Sequence, residues 1–289
     1  MNAATAHRGF GIARPGLPQY ARTFLDMSKK VLVEYSRYPV NFLAIFAQVF
    51  IIILLFVMSS FAFSAPEADP AQFRVFAGMM TYGFVVGMFM SFTLWEVGFS
   101  IREEQVRGTL ESLYLSPTNK FSNLLSRIFA MLLMTSAICV AGVALVAGLV
   151  GGLPVENVLA GLGVLVLTVS GLLGIGFFFA GVTIKLKESA QLLVSGLQFF
   201  FFIFSAQFFP FSVLPAPVRD YVSRWLPVSY AVDLFRTTLI GIEPELLPND
   251  VALEYLIVIG FAILSPILGY LGYRAIEDRA RKAGSLGEY

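Results

Sequence analysis

The stretch IREEQVRGTLESLYLSPTNK, residues Ile101–Lys120, is a long polar island between two apolar parts of the chain. It carries too many charges to lie in hydrocarbon, yet it has the pattern of a short helix. Gly108 interrupts the preceding segment, Thr109 is a favourable N-cap and Pro117 stops the helix. The sequence therefore predicts one short helix over Leu110–Ser116, held between membrane-spanning segments.

This short helix has one small apolar face. Leu110, Leu113 and Tyr114 recur at the i, i+3 and i+4 positions of a helix. Glu111 lies in the first turn, where the helix macrodipole favours an acidic side chain. An apolar knob on a charged segment either rests on its own bundle or fits a socket on another protein. The residues alone leave both interpretations open.

Composition places the whole chain in a membrane. Of its 289 residues 57% are hydrophobic and only 13% are charged, whereas soluble domains carry about 25% charged residues. The formal net charge of +1 gives no reason to expect nucleic-acid binding. With one cysteine (Cys139) and one histidine (His7), neither a zinc site nor a nucleophile–histidine pair is expected. We expect no metal site and no catalytic residue.

Uncharged stretches long enough to cross a bilayer recur six times, since a crossing takes about 20 helical residues. The sequence predicts an all-α polytopic membrane protein with six transmembrane helices in a transmembrane domain at 39–275. Glycines in the third and fourth spans predict close helix packing. The predicted spans are about 40–65, 75–98, 126–151, 157–184, 189–209 and 253–273.

The regions outside the spans have their own patterns. Residues 1–16 lack periodicity and are predicted to be disordered, while 276–289 form a polar tail. Residues 17–38 predict an amphipathic helix lying in the membrane interface. That helix either only anchors the chain or also braces a cytoplasmic partner. No apolar core follows Met1, so a cleaved signal peptide is not expected.

The distribution of positive charge predicts the orientation of the chain. Sixteen of the 20 Lys and Arg residues fall on one side of the predicted spans. Short loops rich in Lys and Arg stay in the cytoplasm. We therefore expect a multi-pass protein of the plasma (inner) membrane, with both termini and the loop at 101–127 in the cytoplasm.

Residues 210–241, between spans five and six, are too long and too apolar for a simple loop. They predict two short outer helices that re-enter the membrane, separated by Pro227. Pro215 begins the first helix, Ser229 is predicted to cap the second, and Gly241 is predicted to end it.

Polar residues within these apolar segments are candidates for function. Asp233 and Arg236 lie three residues apart, so an ion pair on one helix face is predicted, more typical of structure than of a substrate site. Gln48 and Gln198 each either line a path or hydrogen-bond neighbouring helices. Phe199 begins an aromatic run that faces lipid or a second copy, or lines the path.

Two motifs resemble those of a known family. The run EEQVRGTLESLYLSP resembles the Glu-x-x-x-Gly-Thr-Leu-Glu-x-Leu-x-x-Ser/Thr-Pro pattern of permease subunits of type-2 ABC exporters, which include drug and lipo-oligosaccharide exporters. The run LPVSYAVDLFR at 226–236 is similar to the Pro-(x)-x-Tyr…Arg segment that precedes the last span in that family. The order of elements over about 17–280 matches as well.

The resemblance implies roles for particular residues of this chain. Pro227, Tyr230, Asp233 and Arg236 would belong to the outer re-entrant gate. The segment 101–120 would be a coupling segment that fits a cleft on a cytoplasmic ATPase subunit. Its implied contact residues are Glu104, Arg107, Gly108, Thr109, Leu110, Glu111, Leu113, Tyr114, Ser116 and Pro117.

The energy source is expected in another chain, because no phosphate-cradling G-x-x-x-x-G-K-[ST] loop occurs in this one. The resemblance implies a homodimer in the bilayer with two copies of a nucleotide-binding subunit, which would hold ATP and Mg. This chain would not be an enzyme by itself.

The resemblance implies export of a hydrophobic or amphipathic substrate such as a drug-like molecule or lipid. A lipid-linked oligosaccharide or polysaccharide is the alternative. An ion-coupled transporter or intramembrane enzyme is disfavoured, because every charged residue lies outside a predicted span or at its end.

Overall fold

The computed structural model describes residues 69–97, 120–186 and 189–282, together with 47–52, 54–55 and scattered positions between 25 and 44. All regular structure in these residues is helical and none is strand, which confirms the all-α fold. The helices are α1 (Pro70–Phe92, continued by a π-helix at Thr93–Val97), α2 (Lys120–Val150), α3 (Val158–Leu186), α4 (Ser189–Phe204), α5 (Ala216–Tyr221), α6 (Pro227–Ile240) and α7 (Val251–Lys282). Short 3-10 turns occur at Phe211–Val213 and Ser223–Trp225.

Four of these helices are long and apolar enough to cross a membrane. Their apolar parts are Pro70–Val97, Met131–Val150, Val158–Thr183 and Val251–Arg279. Helix α4, in the region of the fifth predicted span, has 16 residues, fewer than the roughly 20 that a crossing takes. The first predicted span is described only in part, at residues 40, 43–44, 47–52 and 54–55, so the count of six remains a prediction.

Other predicted regions lie wholly or largely outside the described residues. These are the N-terminal region 1–16, most of the interfacial helix 17–38, residues 101–119 of the coupling segment, and the end of the tail at 283–289. The domain boundaries predicted from the sequence therefore stay predictions.

Helix α1 is the centre of the described bundle. In its most apolar window 78% of the residues are buried, against 22% in the corresponding window of α7. The helix begins sharply, since Pro70 occupies its first position and the Asp69 side chain accepts a 3.0 Å hydrogen bond from the Ala71 backbone N–H. Its apolar residues cover every side, which is the pattern of a helix surrounded by protein.

The turn between α2 and α3 marks one end of the bundle, here called the Pro70 end. Gly151 and Gly152 turn the chain with φ values of 77° and 112°, which L side chains rarely adopt. Asn157 then caps α3 through its side chain, which accepts from the Ala160 N–H at 3.0 Å. The Tyr82 hydroxyl donates to the Pro154 carbonyl at 2.8 Å and so fixes this turn against α1.

Helices α3 and α7 meet along a line of small residues, here called the glycine seam. A Cβ at Gly174 would lie on the backbone of Ser265, and one at Gly269 would lie on the backbone of Gly174. Small residues allow two helix backbones this close approach. Gly171, Gly174 and Gly176 of the fourth predicted span therefore do pack against other helices, as the sequence indicated, whereas none of the described residues approaches a Cβ within 4 Å at Gly163 or, in the third span, at Gly148.

The glycine seam also compensates for a hydrogen bond that is missing inside α7. Pro266 lies inside α7 and has no N–H, so the carbonyl of Ala262, four residues earlier, loses its usual partner. The Ser170 hydroxyl on α3 donates to that carbonyl at 2.8 Å. In return the Ser265 hydroxyl on α7 donates to the Gly171 carbonyl at 2.7 Å. In these apolar surroundings, the two hydrogen bonds pair polar groups that water would otherwise hydrate.

Candidate functional site

Helix α6 lies inside the bundle, alongside α1 and antiparallel to it. Near the Pro70 end, Ile240 touches the position where Gly78 would carry a Cβ. About one turn further along, the ring of Phe235 meets the ring of Tyr82 edge-on, with centroids 6.1 Å apart. Most of α6 is buried, although its sequence follows a loop-like, proline-containing segment.

The ends of α6 are set by local sequence. Pro227 is its first residue, and Leu226 occupies the cap position without a side-chain hydrogen bond. The prediction that Ser229 caps the helix is wrong, because the helix already begins at Pro227, whose fixed φ suits a first turn. Gly241 ends the helix with φ 77° and donates its N–H to the Thr237 carbonyl at 2.9 Å, as predicted.

Arg236 is completely buried and bonds only to main-chain oxygens. Its Nε donates to the Met79 carbonyl on α1 at 2.7 Å. Its Nη2 donates to the carbonyls of Ala206 and Gln207, just after α4, at 2.8 and 3.2 Å. Arg236 thus connects α6 to two other elements at once.

Glycine makes room for this arginine. A Cβ at Gly83 would lie on Arg236 Nη2 and on the Gln207 carbonyl oxygen, and a Cβ at Gly87 would lie on Gln207 Oε1. Ala206 adopts a left-handed φ of 48° at the bend after α4, next to the carbonyls that Arg236 binds. One face of α1 is therefore shaped to receive the guanidinium. Arg236, its three carbonyl partners and the glycines Gly83 and Gly87 are here called the Arg236 cradle.

Arg236 has an unusual electrostatic setting. Among the described residues no carboxylate lies within ion-pair distance of it, and its Nη1 has no hydrogen-bond partner. A buried charge is tolerated only where hydrogen bonds replace its hydration. A hydrogen bond to a charged group contributes about 1.5–3 kcal/mol, so the three carbonyls are the main compensation.

The predicted ion pair between Asp233 and Arg236 is wrong. The Asp233 carboxylate accepts from the Leu246 N–H at 2.7 Å, in the loop between α6 and α7. The two side chains point to different elements because α6 is buried around most of its surface. Burial raises the pKa of Asp233 to about 6, although the Leu246 N–H opposes the shift.

Two further acids, which the sequence analysis missed, complete this site. Glu254 is buried in the first turn of α7 and accepts from the Leu247 N–H at 2.9 Å. Glu245 accepts from the Phe211 N–H. Together with Asp233 they cap backbone donors of irregular segments. The position of Glu254 at the start of a long apolar run was the only signal in the sequence.

Tyr230, another predicted gate residue, links α6 to the turn before it. Its hydroxyl donates to the Arg224 carbonyl at 2.9 Å, and its ring is buried. The structure therefore brings Tyr230, Asp233 and Arg236 onto one buried helix that begins at Pro227. Within the described residues no group of three His, Cys, Asp or Glu side chains could hold a metal ion.

The buried charges on α6 bear on whether the protein could be an ion-coupled transporter. Asp233 and Arg236 fall outside the predicted spans, but the fold returns them to the interior of the bundle. Their place in the sequence therefore gives no case against ion coupling. Ion coupling is disfavoured because Asp233, Arg236 and Glu254 each form a hydrogen bond with a nearby backbone group.

The residues predicted to line a path are not together. Gln198 on α4 accepts from Trp95 Nε1 at 2.7 Å and donates to the Ser91 hydroxyl at 2.8 Å, so it links α4 to the end of α1. Its neighbour Phe199 is exposed on the bundle surface, and so is Gln48. For Gln198 the hydrogen-bonding interpretation is the one that the contacts match.

The far end of α1 has a special geometry. Residues Thr93–Val97 form a π-helix, which occurs mainly as single turns and frequently at functional sites. A Cβ at Gly176 on α3 would be 3.0 Å from Val97, so this turn is tightly held. The ten predicted contact residues of the coupling segment, from Glu104 to Pro117, begin seven positions later and lie outside the described residues.

Long apolar helices around a central buried helix define a multi-pass membrane protein. A family model described as ABC-2 family transporter protein matches residues 65–271, well over half of the chain. The chain belongs to the ABC-2 transporter family and is a membrane permease of an ABC exporter.

The match includes α1 to α6, most of α7 and the polar segment after the π-helix. Members of this family are the membrane component for transport and generally work with an ATP-binding subunit. No curated protein matches the chain.

Proposed function

We propose that two copies of this chain form a translocation path and that two separate ATPase subunits, which hold ATP and Mg, drive it through the segment 101–120. In this proposal the Val97 end of the bundle faces the cytoplasm and the Pro70 end faces outward. Both termini lie in the cytoplasm of a plasma-membrane protein. The transported substrate is hydrophobic or amphipathic.

The observation that carries this proposal is the position of α1. This central helix bears the Arg236 cradle near one end and the π-helix at the other, directly before the polar segment. Displacement of the polar segment would act on α1 through the π-helix. Because α1 packs directly against α6, a shift of the α1 axis would displace α6.

In the proposed cycle α6 is part of the outer gate. The three hydrogen bonds that Arg236 makes to α1 and to the bend after α4 break together when α6 separates. A change between two discrete arrangements is what packed interfaces permit. Asp233 on α6 and Glu254 in the first turn of α7 hold the loop between these two helices through the N–H groups of Leu246 and Leu247.

The coupling role can be tested by an uncoupling variant. In a reconstituted complex with the ATPase subunits, the double substitution Glu111→Ala with Leu113→Asp should remove the acid and the apolar knob of the predicted helix. ATP hydrolysis should persist while transport per ATP falls by at least about tenfold, since 1.4 kcal/mol of lost coupling is a factor of ten.

Glu103→Ala, in the same segment but outside the predicted contact set, is the matched control and should transport normally. Full transport by the double variant would contradict the coupling role. ATP hydrolysis by the purified chain alone would contradict the assignment of ATPase activity to a partner.

A further inference from the structure

A charged surface protrudes from the turn between α5 and α6. It consists of Arg219, Asp220, Tyr221, Arg224 and Trp225, here called the charged tip. Asp220 Oδ1 lies 3.4 Å from Arg219 Nε and 3.7 Å from Arg224 Nη1, and these side chains are 33–43% exposed. Tyr221 and Trp225 are 77% and 81% exposed.

The charged tip lies far along the bundle from the Pro70 end. Helix α6 runs antiparallel to α1, with Ile240 beside Gly78 and Phe235 beside Tyr82. Val228, at the start of α6, belongs to the packed cluster that contains Met90, and Leu226 packs against that cluster. Met90 is twelve residues beyond Gly78, which corresponds to about 18 Å along a helix.

The level of Gly78 can be taken as the border of the hydrocarbon. The turn between α2 and α3 touches α1 there, since Pro154 lies 3.4 Å from the Cβ position of Gly78. Two membrane-crossing helices end at this turn, so the apolar layer begins close to it. With a layer about 30 Å thick, a depth of about 18 Å is near its middle.

Exposed charges at that depth are incompatible with lipid. Charged side chains inside a membrane face the protein interior or a water-filled cavity. Arg219 and Arg224 share a single carboxylate, Asp220, and Arg224 Nη2 also donates to the neutral Leu246 carbonyl at 3.3 Å, so the tip keeps an excess positive charge. Trp225 and Tyr221 place broad apolar surface beside that charge.

We propose that the charged tip lines a water-filled part of the translocation path at mid-membrane depth and binds the anionic head group of an amphipathic substrate. The proposal rests on the proposed function, because a path requires that the chain be the permease. It names the substrate class of that path: a molecule with a negative head, which the two arginines attract, and an apolar body, which the exposed aromatic rings contact.

Thiol accessibility tests the location of the tip. Cys139 is the sole cysteine and is buried, so a Cys139→Ala background allows single probes to be introduced. Trp225→Cys should react with the membrane-impermeant, anionic reagent sulfonatoethyl methanethiosulfonate in proteoliposomes of the full complex. Leu264→Cys is the matched control, because Leu264 is exposed on α7 close to the level of Gly174.

We expect the thiol at position 225 to react at least about tenfold faster than the thiol at position 264, because only water-exposed thiols ionise readily. Equal, slow reaction at both positions would overturn the proposal. Tyr221→Cys gives a second probe of the same face. A disulfide between position 225 of two copies, with no access for the reagent, would show that a second copy covers the tip and would also overturn it.

The sign of the reagent tests the ligand. At position 225 the anionic reagent should react faster than its cationic counterpart, trimethylammonioethyl methanethiosulfonate. This preference should be several-fold greater than at position 225 in an Arg219→Gln, Arg224→Gln background. Submicellar dodecyl phosphate should protect position 225, and dodecyltrimethylammonium should not. Equal protection by both amphiphiles would overturn the anionic specificity.

These measurements separate the two proposals. Thiol accessibility needs neither ATP hydrolysis nor transport, so a failure of the coupling experiment leaves it intact. Conversely, an inaccessible tip in a complex that transports normally would overturn only the charged-tip inference.

Discussion

The glycine seam and the Arg236 cradle both join helices inside the same apolar bundle, but they do so by opposite means. In the seam, α3 and α7 approach until Gly174 and Gly269 touch through their backbones, and only hydroxyl groups add polar bonds. At the cradle, one buried charge reaches three carbonyls on two other elements. The seam has contact along its length, whereas the cradle depends on a single side chain.

This difference suggests different roles in the proposed cycle. Separating α3 from α7 would open a long close-packed interface and expose the Ala262 carbonyl that Ser170 satisfies. Separating α6 from α1 would release one guanidinium, which water could hydrate in an open path. We therefore expect the seam to stay closed while the cradle opens.

The largest expected effect is at the cradle. Arg236→Met should lower the free energy of unfolding by about 2–6 kcal/mol, because it leaves the buried carbonyls of Ala206 and Gln207 without their donor, at about 1–3 kcal/mol each. Denaturant titration in mixed micelles measures this loss. Arg279→Met, at an exposed position of α7, should change it by less than about 0.5 kcal/mol. Equal effects of the two substitutions would contradict the account of the cradle.

The next largest effect is at the seam. Gly269→Ala should cost about 2–4 kcal/mol, since its Cβ has no room against Gly174 and the helices must move apart. Gly260→Ala lies on the same helix, where nothing approaches a Cβ within 4 Å. It should be neutral or slightly stabilising, because alanine favours helix. Thermal unfolding of the two variants side by side gives the comparison.

Asp233 should make the cradle region sensitive to pH. Its pKa is raised to about 6 when folded, against about 3.9 unfolded, so the folded state holds the proton more tightly. Stability should therefore fall as pH rises from about 4 to 6, by up to about 3 kcal/mol, relative to Asp233→Asn. Unfolding titrations of both proteins across this range measure the difference. Parallel pH profiles would show that burial does not disfavour the Asp233 carboxylate.

The smallest effect is that of one hydroxyl in the seam. Ser170→Ala removes the donor to the Ala262 carbonyl and should cost about 0.6–1.7 kcal/mol. Ser136→Ala on α2 removes only a bond to a carbonyl of its own helix, Leu132, and should cost less. A larger loss of stability for Ser136→Ala would contradict the stabilising role of the Ser170 hydrogen bond to the carbonyl that Pro266 leaves unpaired.

The sequence indicates the helical class and the packing role of the glycines because both follow from local patterns. Apolar length predicts a crossing, and small residues predict close approach. The stop at Gly241 was also predictable, since a helix end in the left-handed conformation favours glycine. These features depend on neighbours in the chain.

The cradle could not be predicted in the same way. Arg236 bonds to Met79, which is 157 residues away along the chain, and periodicity carries no information about such a partner. A spacing of three residues suggested the wrong partner, Asp233, because such a spacing favours an ion pair only on an exposed helix face, and α6 is buried on most sides. Gly83 and Gly87 were not singled out, although they shape the cradle.

The most direct test of the central claim is a pair of tethers in the Cys139→Ala background. A short bifunctional thiol reagent would join Gly78→Cys to Ile240→Cys across α1 and α6, and Ser170→Cys to Ala262→Cys across the seam. In the reconstituted complex, the α1–α6 tether should stop transport while ATP hydrolysis continues, and the seam tether should leave transport unchanged. Full transport with the α1–α6 tether in place, or its loss with the seam tether alone, would contradict the account.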